Sequence, residues 1–116
     1  MIVKECFTVG PELSYHECTI HTLEGSADKV YIGLSDVDYG DQRVHVDIVI
    51  TGFNHALIDE QPACIWQKPS DEGEILTLEI DKNNLLVIVE WEEYHPVAHY
   101  IMSYELFGGV IDVTIV

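Results

Sequence analysis

Apolar and polar residues alternate with a period of two along most of this chain. Residues 43–51, for example, read Arg-Val-His-Val-Asp-Ile-Val-Ile-Thr, so that four branched apolar side chains share one face of an extended segment. Successive side chains of a strand point to opposite faces, so this pattern predicts a strand with one buried face. The period restricts the chain to folds in which most residues are extended.

Seven other segments predict strands in the same way. The clearest unit is a hairpin over 74–92, in which turn residues at Asp81-Lys82-Asn83-Asn84 separate the alternating runs 74–81 and 85–91. The remaining strands are expected at 2–8, 15–23, 29–35, 97–107 and 110–115. A short helix is expected only near 54–61, between Gly52 and Pro62, because no long segment has apolar residues at helical spacing.

These segments predict an all-β fold. We expect an antiparallel meander of about eight strands, arranged as a sandwich or a partly closed barrel, with at most one short helix near 54–61. Hydrophobic residues make up 47% of the 116 residues and no linker interrupts them, so residues 1–116 are expected to form a single domain with a buried core.

The charge of the chain limits the partners that it can have. The sequence contains 21 acidic and 5 basic residues, for a formal net charge of −16. Such a surface repels nucleic acid and anionic membranes and attracts basic proteins. A basic protein partner is therefore predicted. Solubility alone or adaptation to high salt would also produce an acidic surface, and both alternatives stay open.

Two acidic segments are the predicted partner-binding sites. Asp36, Asp38 and Asp41 lie in an expected hairpin loop between strands 29–35 and 43–51. This segment is superficially similar to a calcium loop, but the bidentate glutamate that such a loop needs is missing.

The second segment is built around Trp91, which the alternation assigns to the core. Glu90, Glu92, Glu93 and Tyr94 surround it, and in a regular strand Glu90 and Glu92 point away from Trp91. Carboxylates beside an aromatic side chain can hold an arginine or lysine of a partner by ion pairing and cation–π contact.

Metal and cofactor sites are not predicted. His95 and His99 are four residues apart, but Pro96 stands between them, and on a strand His16 and His21 point to opposite faces. No set of four ligands with the usual spacing for zinc is present. One alternative stays open: a metal-dependent small-molecule enzyme or binder on a closed barrel, using His16, His21, His95 and His99.

Catalytic motifs are also absent, so the chain is not expected to be an enzyme. There is no Gly-x-Ser-x-Gly motif and no glycine-rich phosphate loop. Cys6, Cys18 and Cys64 lack basic neighbours and are expected to be free, buried thiols.

The first residues lack a basic region followed by a long apolar run, and Leu85–Val89 is too short to span a membrane. A cytoplasmic location is therefore expected.

The order of the motifs resembles a known class of bacterial proteins. The motifs are Tyr15-His16-Glu17-Cys18-Thr19-Ile20, Gly40-Asp41-Gln42-Arg43-Val44, Thr51-Gly52-Phe53, Val89-Glu90-Trp91-Glu92 and Tyr104-Glu105-Leu106. This arrangement is similar to the small, acidic, strand-rich immunity proteins that are encoded beside polymorphic or contact-dependent toxins. Glu17 departs from the pattern, since an aspartate is common there.

The resemblance implies a cytoplasmic protein that binds and blocks one cognate toxin domain without catalysis. Together with the charge, it predicts an immunity-type inhibitor of a basic toxin, with nucleases as the leading class because they carry positive clefts for phosphate. The inhibitor is expected to be a monomer or a homodimer. A non-catalytic structural or oligomerising module, acidic only for solubility, is the other alternative.

Overall fold

A computed structural model describes residues 2–3, 13–26, 28–94 and 97–116. These residues form twelve β-strands and no helix. The strands are β1 (Ile2–Val3), β2 (Leu13–Ser14), β3 (Thr19–Gly25), β4 (Lys29–Tyr39), β5 (Gln42–Thr51), β6 (His55–Ile58), β7 (Gln61–Pro62), β8 (Trp66–Gln67), β9 (Glu72–Asp81), β10 (Asn84–Tyr94), β11 (Val97–Phe107) and β12 (Val110–Ile115). The all-β prediction is confirmed, although the described residues contain more strands than the expected eight. They contain no helix long and apolar enough to cross a membrane.

All twelve strands belong to one antiparallel sheet. Its order is β1-β12-β5-β4-β3-β9-β10-β11-β6-β7, with β2 beside β4 and β8 beside β3. The predicted 74–92 hairpin is confirmed as β9 and β10, and β11 returns beside β10 as the next strand of the meander. Within the described residues, β1 and β7 lie at the two ends of this path and do not pair with each other, so the sheet is open.

The sheet folds back on itself where β3 meets β9. These two strands share a single residue pair, Thr19 with Glu74. The molecule is 18 Å across its thinnest direction, and the rings of Trp66 and Tyr104, from opposite halves of the sheet, have centroids 5.2 Å apart. Packed sheets lie about 10 Å apart, so these dimensions fit two layers facing each other across the core. One layer contains β3, β4, β5 and β12, and the other contains β9, β10, β11 and β6.

Trp91 is buried in the core, as predicted. Its side chain is fully buried, and the indole Nε1 donates a hydrogen bond to the hydroxyl of Tyr104 at 2.9 Å. The indole also covers Gly73, where a Cβ atom would come within 2.6 Å of Trp91 Cε3 and Cζ3 and within 2.8 Å of Ile20 Cγ2. Any larger residue at position 73 would therefore displace the indole.

The helix considered near 54–61 does not form. His55–Ile58 is strand β6, which pairs with Tyr104–Phe107 of β11, and a turn at Asp59 and Glu60 leads into β7. Pairing with β11 satisfies the backbone groups of this segment and lets Ala56 and Ile58 pack against the core. For a short apolar segment beside an available strand edge, this pairing is more stabilising than one turn of helix.

The loop expected at 36–41 is mostly strand. Asp36 has a φ of 59° at an irregularity in the β4–β5 register, and β4 then continues through the buried Val37 to Tyr39. A bulge of this kind accommodates an extra residue without ending the strand. Only Gly40 and Asp41 form the turn.

The cysteines differ from one another in exposure. Cys18 is buried, as expected, whereas Cys64 is exposed, so the prediction is wrong for Cys64. Cys6 lies outside the described residues. The predicted strand 2–8 is described only at Ile2–Val3, which pairs with β12 at the end of the sheet.

Replacing Tyr104 by phenylalanine should destabilise the protein, because the buried indole N–H of Trp91 would lose its acceptor. A loss of about 1–3 kcal/mol in the free energy of unfolding is expected. Tyr100→Phe is the matched control on the same strand, since its hydroxyl donates to Glu93 at a partly exposed position. Urea unfolding of the two variants measures both losses. An equal loss in both would contradict a special role for the Trp91–Tyr104 bond.

Candidate functional site

The outward surface of the second layer carries two rows of side chains that the strand register aligns. In one row Glu92 lies between Glu72 and His99, and in the next Glu90 lies between Glu74 and Ile101. Paired residues point to the same side of a sheet, so both rows lie on the surface opposite the buried Trp91. Glu72, Glu74, Glu90 and Glu92 are called the acidic face below. The predicted orientation of Glu90 and Glu92 is confirmed.

The acidic face places like charges directly opposite each other. Glu74 faces Glu90 and Glu72 faces Glu92, each across one strand spacing. Directly opposed residues have Cβ atoms about 4.5–5.5 Å apart, and like charges there destabilise a sheet. Two such pairs side by side place four carboxylates in a small patch. Folding alone does not require this arrangement.

His99 lies at the border of the acidic face. Its Nδ1 is 3.8 Å from Glu92 Oε1, and ligand atoms of Glu90, Glu92 and His99 all lie within 4.8 Å of one another. Two carboxylates and an imidazole form a donor set that divalent transition metals accept. The same arrangement makes an ion pair when the imidazole is protonated.

Two exposed aliphatic side chains flank His99 on β11. Val97 is 70% exposed and Ile101 is 59% exposed, and both lie on the same side of β11 as His99. Val97 and Ile101 are called the apolar stripe below. The acidic face and the apolar stripe therefore lie side by side.

A cleft opens between β3 and β9 next to the acidic face. The two strands diverge beyond Thr19 and Glu74, leaving a volume of about 410 Å³. The walls of the cleft include Thr19, Ile20, His21, Asp71, Glu72, Gly73, Glu74 and Glu92. Lys68 Nζ donates to the carbonyl oxygens of His21 at 3.1 Å and Asp71 at 3.4 Å, so an ammonium group of the chain itself joins the two sides.

The three described histidines of the metal alternative, His16, His21 and His99, are not brought together. His16 Nδ1 lies 3.2 Å from the carbonyl oxygen of Leu76, whereas the ring of His21 contacts the ring of His45. Of that set, only His99 belongs to the group of potential ligands found among the described residues. His95 lies outside the described residues.

The predicted aspartates lie on the other side of β3 from the acidic face. Ser35, which precedes Asp36, pairs with Thr19, and Thr19 pairs in turn with Glu74, so β3 separates the two acidic groups. Asp38 forms an ion pair with Arg43 at 3.7 Å, with both side chains largely exposed. Asp41 lies in the β4–β5 turn. An exposed ion pair of this kind contributes little to stability.

Glu93 does not extend the acidic face. Glu93 lies on the same side of β10 as Trp91 and accepts a hydrogen bond from the Tyr100 hydroxyl at 3.0 Å. Partial burial, together with this contact, raises the pKa of Tyr100. The backbone of Tyr94 ends β10, and its side chain lies outside the described residues. Of the six predicted contact residues whose side chains the structure describes, only Glu90 and Glu92 therefore lie together on the acidic face.

Cys18 is unsuited to nucleophilic chemistry. Burial, with additional contributions from the charges of Asp36, Asp38 and Glu74, raises the pKa of the thiol to about 12. The reactive thiolate is therefore scarce at neutral pH, in agreement with the sequence-based prediction.

Sequence reasoning missed Glu72, Glu74, Val97 and Ile101. Their alternation assigns each to one side of its strand, but the surface that they share depends on the register between strands. Comparison of the chain with protein-family models, curated proteins and solved structures finds no match.

Neutralising one member of an opposed glutamate pair should stabilise the fold. Glu74→Gln or Glu90→Gln is expected to raise the free energy of unfolding by about 0.2–1 kcal/mol at low salt, because cross-strand repulsion is relieved. The gain should shrink at high salt, which screens exposed charges. Glu79→Gln is the matched control on β9, since Glu79 faces Leu86. Chemical denaturation at two salt concentrations measures each change; equal gains for all three variants would indicate only an effect of net charge.

Proposed function

We propose that this protein is an immunity-type inhibitor that binds and neutralises a basic toxin domain in the bacterial cytoplasm. The observation that carries the proposal is the pairing of glutamates across β9 and β10 beside the exposed apolar stripe. Cations of a partner would relieve the repulsion within the acidic face, and apolar groups of that partner would cover Val97 and Ile101. The relief of repulsion and the burial of these apolar side chains both arise only on binding.

Charge complementarity supports a basic partner. With a net charge of −16, the protein attracts a cationic surface over long distances, and such steering raises association rates by about 10–10³. Close ion pairs across an interface can couple by about 1.5–7 kcal/mol. A patch of four carboxylates offers several such pairs within a small area.

Nucleases are the toxin class that best fits this surface. Their clefts are positively charged because they hold phosphates, and a closely spaced set of carboxylates presents the same sign of charge as a phosphate backbone. The inhibitor would then occupy the substrate cleft. Catalysis by the inhibitor is not part of this proposal.

A second candidate function is the binding of a divalent cation by Glu90, Glu92 and His99. The grouping of their ligand atoms within 4.8 Å favours it. Titration of zinc or manganese into protein without an affinity tag tests this candidate. Binding that is lost in His99→Ala would support it, and binding unaffected by that substitution would exclude this site.

Co-expression with the domain encoded immediately upstream tests the proposed inhibitor. We expect that domain to stop growth alone, and the wild-type protein to restore growth and to co-purify with it. A harmless upstream domain, or one that does not bind this protein, would contradict the proposal.

The acidic face should be required for that rescue. Glu74→Gln with Glu90→Gln should weaken binding by about tenfold or more and reduce its salt dependence, because two interfacial charges are lost. Glu79→Gln with Glu105→Gln is the matched control, because these residues flank Leu86 on the same surface and the change in net charge is identical. Equal loss in the two double variants would assign the effect to net charge rather than to the acidic face.

A further inference from the structure

None of the described strands pairs with one edge of β11 over half of its length. On one side β11 pairs with β10 from Val97 to Leu106. On the other side β6 pairs only with Tyr104–Phe107, and its turn at Asp59 leads away into β7. Within the part of the chain that the structure describes, no strand pairs with this second edge at 97–102.

The backbone groups that point towards this edge can be identified from their neighbours. Ser103 N–H donates to Asp59 Oδ1 at 2.8 Å, and the Ser103 carbonyl accepts from Asp59 N–H at 2.9 Å. Alternate residues of a strand direct their backbone groups to the same side, and the β10–β11 register is regular. Ile101, His99 and Val97 therefore direct their N–H and C=O groups towards the open edge.

Within the described residues 97–102, this edge lacks the features that usually prevent strands from pairing with other chains, although Pro96 precedes it in the sequence. Natural edge strands are protected by proline, lysine, bulges or short length, and β7 at the end of the sheet contains Pro62. Residues 97–102 read Val-Ala-His-Tyr-Ile-Met, with neither proline nor lysine and with the two exposed side chains of the apolar stripe. Such an edge is a template for an added strand.

We propose that the open edge of β11 at Val97, His99 and Ile101 receives an extended segment of the basic partner as an additional strand. The proposal deepens the proposed function and depends on it for the charge of the partner. Apolar side chains of the added strand would pack beside Val97 and Ile101. Main-chain hydrogen bonds would supply affinity, and alternate side chains would supply specificity.

The acidic face lies within reach of such a strand. An added strand would be two strand spacings, about 9.6 Å, from β10, with His99 between them. The long side chain of an arginine or lysine can extend across one strand towards Glu90 and Glu92. A second copy of this chain is a poor occupant, because it would bring two surfaces of the same strong negative charge together.

Hydrogen exchange of the intact protein tests the edge directly. The probe is a capped ten-residue peptide that alternates arginine and valine, and a peptide that alternates glutamate and valine is its control. The amides of Val97, His99 and Ile101 should exchange rapidly in the free protein and become at least about tenfold slower with the arginine peptide. The amides of Tyr100 and Met102, which face β10, should change little.

Three results of that experiment would overturn the proposal. The three amides could be protected already in the free protein at every concentration, which would show that the edge is covered. They could become protected only as the protein concentration rises, which would identify a second copy as the occupant. They could also stay unprotected while the peptide binds.

Two substitutions of one residue then separate backbone pairing from side-chain contact. His99→Ala keeps the edge N–H and should reduce peptide or toxin binding by no more than about threefold, whereas His99→Pro removes that donor and should reduce it by about tenfold or more. Proline is tolerated at strand edges, and circular dichroism and thermal unfolding confirm that each variant is folded. Equal binding by both variants would overturn the added strand. The proposed function would still stand if Glu74→Gln with Glu90→Gln weakens binding.

Discussion

The arrangement of the acidic face depends on the hydrogen bond from Trp91 to Tyr104 in the core. This bond joins the two largest side chains of β10 and β11 in the core, and Tyr104 also contacts Trp66 from the opposite layer. Because Trp91 must point inward, its neighbours Glu90 and Glu92 must point outward. The acidic face is therefore a direct consequence of how the core is packed.

The packing of Trp91 against Gly73 also fixes the direction of the neighbouring side chains on β9. The absence of a side chain at this position lets the Trp91 indole lie against β9, and the residues on either side, Glu72 and Glu74, then face outward beside Glu92 and Glu90. Packing on the inside of the sheet thus determines which charges meet on the outside. The fold tolerates that repulsion because a large apolar core lies beneath it.

Burial and exposure divide the protein into a part that holds the fold and a part available for binding. The core contains no buried polar or charged residue among those that the structure describes. The acidic face, the apolar stripe and the open edge of β11 adjoin one another on the second layer. A single extended segment with basic and apolar side chains could engage all three. This proximity links the proposed inhibitor function to the proposed added strand.

The periodicity of the sequence predicts the long strands well, but it does not predict features that depend on pairing with other strands. The hairpin of β9 and β10, the burial of Trp91 and the outward direction of Glu90 and Glu92 follow from alternation, which is a local property. The local sequence does not predict the strand at 55–58, because the stability of that strand comes from β11, nearly fifty residues later. The sequence predicts a loop at Asp36 and Asp38 because a bulge resembles a turn when only local residues are considered.

The sequence by itself determined the all-β character of this protein, the two faces of its long strands and its strong negative charge. Only the tertiary structure decided that Glu74 opposes Glu90, that Glu93 lies on the other side of the sheet from them, and that no described strand pairs with one edge of β11 at 97–102. The physical reason is that side-chain direction is set within each strand, whereas register, bending and edge coverage are set by contacts between distant segments.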